Sequence, residues 1–273
     1  MDAHDALQHR ENIIESCVIQ ARHLHTLRRV PIFMTALCRV RQGQKRLQWD
    51  EQEMLAGPQH LVLMPAGREL GVSNFPGAQG HYIADVVSFP VSVLRQFMAR
   101  YGEQFARSAP GHVSTELCVR LDKQTRQAWD QLLVALNSGA PAALCTHYGE
   151  AVLLCLCLSG QAGPLLMGRN DPLSERVQRL MMSNLSKDWT IAAAAHQLNV
   201  GESTLRRQLA NEDASFRSIL ENVRLAAALQ RLQTSSDPIG EIASACGYAS
   251  PSRFAVRFKT HYGLSPRALR AAI

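Results

Sequence analysis

The side chains in this sequence best suited to chemistry are hydrogen-bond donors, and they fall in two groups. Ser203, Thr204, Arg206 and Arg207 crowd the end of TIAAAAHQLNVGESTLRRQL (190–209), while Ser250, Ser252, Arg253, Val256, Arg257 and Lys259 close PIGEIASACGYASPSRFAVRFK (238–259). A guanidinium can take guanine O6 and N7 together, hydroxyls can serve base edges or phosphates, and a valine can lie on a thymine methyl. The chemistry indicated is the reading of a duplex groove.

Helical geometry must supply the positioning. At about 100° per residue, Phe254 and Phe258 make one buried stripe, leaving Ser252, Val256 and Lys259 opposite and Arg253 to one side. The same projection buries Leu205 and Leu209 and turns Ser203 and Arg207 outward, with Thr204 and Arg206 at the flank. Each reading helix follows a shorter one across a corner. Ala195 precedes Asn199, and Ala243 precedes Gly247, at matching intervals. Two helices that cross closely need a small residue, and the corner needs one that tolerates left-handed backbone angles. Ser250 reads as an N-cap with Pro251 at the first helical position, and Gly201 or Glu202 starts the earlier helix.

Between the units, SFRSILENVRLAAALQRLQ (215–233) spaces Phe216, Ile219, Leu220, Val223, Ala226, Ala227 and Leu232 as one helix. Such a helix spans about 28 Å, near the roughly 34 Å between successive major-groove faces on one side of B-DNA.

The whole chain has 273 residues and a formal net charge of +6, which predicts two domains and an ordinary globular composition. Residues 172–273 hold 13 Lys and Arg against 8 Asp and Glu, and the preceding residues 16 against 15, so the basic excess sits with the paired corners. Seven scattered cysteines without a C-x-x-C pair fit reduced thiols. The acidic N-terminal MDAHDALQHRENII argues against a secretory signal, and the apolar run at 151–167, broken by Gly160, Gly163 and Pro164, is too short to cross a membrane. A cytoplasmic protein without membrane contact is expected.

Strand patterns in VPIFMTALCRV, KRLQW, HLVLMPAG and HYIADVVSF predict a small antiparallel barrel or sandwich over residues 30–90. Helices follow in VSVLRQFMARYGEQF, in TRQAWDQLLVALNSG and in PAALCTHYGEAVLLCLCLSG, and GRNDPLS (168–174) reads as a linker.

The C-terminal third resembles the AraC/XylS family of bacterial transcription regulators. The resemblance rests on residues 239–270, with the G-Y corner, the serine-led segment before Phe254, the Phe258-Lys259 pair and the closing G-L-S-P. It implies an α+β protein of two domains: an N-terminal cupin-like β-barrel with dimerisation helices and an all-α C-terminal domain with tandem helix-turn-helix motifs. The implied boundaries are 1–110 for a cupin-like regulatory domain, 111–170 for a helical dimerisation segment and 171–273 for the DNA-binding domain. Family readers map to Ser203, Arg206 and Arg207 in the third helix and to Ser252, Ala255 and Val256 in the sixth. Val256 stands where the family commonly has a basic residue, so base discrimination is expected chiefly from the first unit. Ala214 in NEDAS (211–215) replaces a usual glycine. The resemblance further implies an activator on double-stranded promoter DNA that contacts RNA polymerase, acts as a homodimer, and answers to a small molecule or a regulatory protein. Residues 1–170 are most similar to members that control virulence and secretion genes.

Other chemistry finds less support. His23-Leu24-His25 has the first element of a cupin metal motif, but it precedes the strands in the helix-like ESCVIQARHLHTLRR and has no Glu until Glu51. Cys155 and Cys157 sit in apolar sequence as small hydrophobes. Neither a phosphate loop nor a nucleophile elbow stands out, and no enzyme activity, metal or cofactor is expected. Arg68, His81 and Tyr82 are the candidates for an effector site in the barrel. The rival readings are a cupin-type metal- or ligand-binding protein with a helical docking module, and an interaction protein of a secretion system.

Overall fold

The computed structural model describes residues 13–108, 116–166 and 172–273. The expectations for the N-terminal stretch and for most of the 168–174 linker lie outside these residues.

Strands β1 (Glu15–Ala21), β2 (His25–Pro31), β3 (Thr35–Gln42), β4 (Gln44–Trp49), β5 (Gln52–Ala56), β6 (His60–Met64), β7 (Glu69–Phe75), β8 (Tyr82–Phe89) and β9 (Cys118–Arg120) form two antiparallel sheets. Their orders are β1-β8-β3-β6-β9 and β2-β7-β4-β5. The larger sheet is covered on both faces over its inner strands β8, β3 and β6, and strand alternation sorts its side chains. On β3, Ala36, Cys38 and Val40 face the smaller sheet, where they meet Leu47, Leu70 and Val72. Leu37 points the other way, joining Leu63 and Phe89 beneath the helices.

Those helices are α1 (Val91–Ser108), α2 (Lys123–Asn137), α3 (Ala142–Leu158) and the short α4 (Gly163–Leu166). Asp122 caps α2 by accepting from the Thr125 N–H at 2.7 Å. Trp129, Leu132, Val152 and Leu153 then cover the larger sheet. Gly149 suits α3 because a Cβ there would crowd Ile14 and stand 3.1 Å from the Phe89 ring.

Two expectations change. The two sheets form a sandwich whose edges do not join into a closed barrel. Strand β2 bends away at a bulge between Leu27 and Val30, with Arg29 at φ 49°, and gives its Leu27 to the C-terminal domain. The stretch read as helix-like, ESCVIQARHLHTLRR, is β1, a turn and β2. Its Ile19 and Ala21 alternate with exposed Val18 and Gln20, and full pairing of β1 with β8 outweighs the helical preference of single residues.

Seven helices follow among the described residues: α5 (Leu173–Met182), α6 (Ile191–Gln197), α7 (Glu202–Asn211), α8 (Phe216–Thr234), α9 (Ile239–Ala245), α10 (Pro251–Tyr262) and α11 (Pro266–Ala272). They enclose two cores. The first gathers Val177, Trp189, Ala195, Leu205 and Leu209, and the second gathers Ile242, Ala243, Phe254, Phe258 and Tyr262. Helix α8 runs through both. Ile219 and Val223 enter the first core, and Leu225, Ala228, Leu229 and Leu232 the second. Of the stripe drawn from sequence, Ala227 packs on the second core and only Ala226 joins neither, while Leu225, Ala228 and Leu229 enter from beside it, because a helix serving two cores turns a different face to each.

Candidate nucleic-acid interface

Both corners have the geometry their residues suit. Asn199 has φ 54° and Gly247 φ 81°, the left-handed region that asparagine and glycine enter most easily. Ala195 and Ala243 are buried where the helices of each unit cross. At the turn after α7 the left-handed position falls to Asp213, φ 52°, beside the Ala214 that replaces a glycine.

Helix α7 starts from Gly201, which offers no side-chain cap, and buries Leu205 and Leu209. Ser203, Arg206 and Arg207 are exposed, and Thr204 is half-buried. Arg206 lies 3.9 Å from Glu202 one turn earlier, whereas Arg207 has no acidic partner among the described residues. Helix α10 starts as its sequence implies: Ser250 accepts from the Arg253 N–H at 3.4 Å and Pro251 opens the first turn. Its inner face carries an aromatic ladder in which ring centroids of Phe254 and Phe258 lie 5.5 Å apart and those of Phe258 and Tyr262 4.7 Å apart. Its outer face exposes Ser252, Arg253, Lys259 and Val256, the last at 65 %. Ala255 is half-buried. Arg257 turns back to Glu221 of α8, 3.5 Å away, so part of its charge is already answered within the chain.

The N-terminal domain meets this module away from the exposed faces. Leu27 is fully buried in the second core, and Phe33 packs on the first. The N–H groups of Arg22 and His23 donate to the Ala272 carbonyl at 2.7 and 3.0 Å, and His261 Nε2–H donates to the Arg29 carbonyl at 3.1 Å.

The effector candidates are not brought together. Arg68 precedes β7 and His81 precedes β8; both are exposed, at opposite ends of β7, about 23 Å apart for a seven-residue strand. Tyr82 is buried between the sheets. The interior holds a polar chain that the sequence reading missed. Lys45, 5 % exposed, donates to Asn74 Oδ1 at 2.8 Å and sits 5.4 Å from the Tyr82 ring centroid. Asn74 Nδ2 donates in turn to His25 Nε2 at 3.2 Å, which leaves His25 Nδ1–H to donate to the His23 carbonyl at 3.2 Å. Burial lowers the pKa of Lys45 and also that of His25. Period-two spacing held the signal, since Lys45 shares its face of β4 with Leu47. Both His25 nitrogens are thus engaged, and among the described residues no group of three or more metal-ligating side chains assembles.

On the helical side, a groove of about 570 Å³ runs between α2 and α3, lined by Arg126, Gln127, Val134, Leu144 and Tyr148. Val134 and Leu144 are exposed there. Burial raises the Cys157 thiol to about 12, and the described cysteines are free. Among the described residues no helix is long and apolar enough to cross a membrane.

Residues 194–272 match the family model described as a helix-turn-helix domain. The transcriptional regulator SirC of Salmonella typhimurium is 35 % identical over 92 residues, 34 % of this chain and 31 % of SirC. The transcriptional activator AggR of Escherichia coli is 35 % identical over 94 residues, 34 % of this chain and 36 % of AggR. The matched segment spans about a third of the length of these curated relatives. Among solved structures, ToxT from Vibrio cholerae is similar over 95 % of this chain and 99 % of its own, with a TM-score of 0.65 at 14 % identity. A ToxT structure with an unsaturated fatty acid bound is similar over 96 % of each chain, at 13 % identity and a TM-score of 0.65. At such identity the likeness is one of fold, and it extends over both domains.

Proposed function

We infer that this chain, whose C-terminal third is an AraC-type helix-turn-helix domain, is a sequence-specific DNA-binding transcription regulator. The observation that carries the reading is the repeated unit: two left-handed corners, at Asn199 and Gly247, each followed by a helix with one buried stripe and one exposed donor-bearing face. The long helix α8 joins them, with a rise of about 28 Å over its 19 residues. One polypeptide then addresses two successive major grooves. In this reading Arg207, with Ser203, Thr204 and Arg206, discriminates bases. Ser250, Ser252, Arg253 and Lys259 hold phosphates, Arg257 does so after release from Glu221, and Val256 contacts a thymine methyl.

The chain acts as an activator beside RNA polymerase, in the cytoplasm, and has no catalytic role. The activators and regulators that share its C-terminal sequence support the direction. Residues 1–110 receive the signal, 111–170 supply the dimer contact and 171–273 bind DNA. The exposed Val134 and Leu144 support pairing of two copies through α2 and α3. A small molecule enters between the sheets, where Lys45, Asn74 and Tyr82 offer polar groups in an apolar lining. The fatty acid bound by the structurally similar ToxT supports a small molecule over a protein signal. A virulence or secretion regulon is the expected target class.

Genome-wide binding of the full chain, with and without candidate effectors, tests the reading. Discrete peaks sharing a two-part sequence are expected. Binding no tighter at any site than to bulk DNA would overturn it.

A further inference from the structure

The two helix-turn-helix units have separate hydrophobic cores, so their mutual angle depends on what joins them. Helix α8 is one tie. A second is the Arg224 side chain, which leaves α8 at the level where one core gives way to the other, between Val223 and Leu225. Its Nε donates to the Leu185 carbonyl at 3.2 Å and its terminal nitrogen to the Lys187 carbonyl at 3.0 Å. Both carbonyls belong to the loop that leads into the first unit.

That loop is itself held firmly. Asn184 Oδ1 accepts from the Lys187 N–H at 3.1 Å, the Trp189 indole N–H donates to the Asn184 carbonyl at 2.8 Å, and the Lys187 ammonium lies 4.1 Å from the Trp189 ring centroid. The other side of the guanidinium meets the second unit at its corner. A Cβ on Gly247 would stand 2.7 Å from Arg224 Cζ and Nε and 2.6 Å from the Leu185 carbonyl oxygen. Glycine at that corner therefore serves two needs: the φ of 81°, and the close approach of the other unit's loop and its clamp.

We propose that Arg224 is a positioning residue that sets the spacing and angle between the two reading helices, and through them the half-site separation the protein accepts. This rests on the DNA-binding reading above. Arg224 touches no base in this scheme; a planar fork bridges two carbonyls at once, which a lysine ammonium on a flexible stem does not reproduce. Rigidly paired units bind as one ligand, and a loosened pair forfeits part of the effective concentration that links the second contact to the first.

The test uses the full chain. Sites are selected from randomised duplexes with the parent, then rebuilt with both half-sites at the selected spacing, with one or two base pairs inserted or removed, and with one half-site alone. Arg224→Ala and Arg224→Lys are compared with the parent. The expected result for both is single-half-site affinity within about twofold of the parent and a broadened spacing optimum, with the two-site advantage reduced about tenfold or more in Arg224→Ala and by an intermediate factor in Arg224→Lys. An unchanged spacing optimum overturns the proposal, as does loss of single-half-site binding in step with two-site binding. If neither variant folds, as judged by circular dichroism, the role of Arg224 is stability and the proposal is wrong. A parent that selects no DNA overturns the regulator reading, and the proposal with it; a parent that selects two-part sites leaves that reading standing whatever the variants do.

Discussion

The backbone N–H of His23 donates to the carbonyl of Ala272 at 3.0 Å, tying the turn between β1 and β2 to the last helix of the chain. The neighbouring N–H of Arg22 meets the same oxygen at 2.7 Å, and Leu27 completes the junction in the second core. The N-terminal and C-terminal halves are thus packed as one core at this point. Leu27→Ala is expected to cost about 2–5 kcal/mol of that packing. Amide exchange should quicken in β2, α10 and α11 together, with α2 and α3 unchanged; exchange altered in β2 alone would show that the junction is not cooperative.

Base discrimination and phosphate anchoring predict different losses. Arg207→Ala should cost about 1–3 kcal/mol of site discrimination and relax preference at one position. Lys259→Ala should weaken all sequences alike and lower the slope of log K against log salt by about 0.9. Titrations of matched and scrambled duplexes at several salt concentrations separate the two. An Arg207→Ala variant with the parent footprint would remove that residue from the readers.

The small residues at the helix crossings predict a third outcome. Ala195 and Ala243 are buried between helices, and Ala243→Leu forces several extra carbons into a filled core. A loss of about 1–3 kcal/mol or more is expected in urea unfolding. An exposed alanine of the same module, Ala210, should accept leucine with little change.

Acid sensitivity follows from His25. Burial is the largest cause of its lowered pKa; the hydrogen bond to the His23 carbonyl opposes that and Lys45 adds to it. The folded chain therefore binds this proton less readily than the unfolded chain, whose histidine titrates near 6.5. Stability from this site is intact above that pH and is lost as pH falls below it. His25→Gln keeps an acceptor for Asn74 without the titration. Its melting temperature should fall less between pH 6.5 and 5 than the parent's; parallel curves would place the acid response elsewhere.

Helices α7 and α10 were legible because local rules suffice for them. The left-handed corners at Asn199 and Gly247, the Ser250 cap with Pro251, and the Leu205, Leu209, Phe254 and Phe258 stripes depend on neighbours a few residues away. The N-terminal domain was legible in kind and less so in detail. ELGVSNF pairs as β7 between β2 and β4, but its Gly71 and Asn74 weaken the strand pattern, and Gly71 sits where a Cβ would come within 3.2 Å of Gln48. Strand β9 has three residues, too few for a periodicity, and exists because Val119 faces Leu61. Arg224, an ordinary helix arginine in sequence, gains its partners 37 and 39 residues away.

Because α8 supplies a wall to each of two cores, neither helix-turn-helix unit can melt while the other keeps its full complement of packing. Denaturation of the C-terminal module should accordingly be all-or-none, without a half-unfolded species that retains a single reading head. A damaged copy would then lose both units together instead of keeping one of them folded.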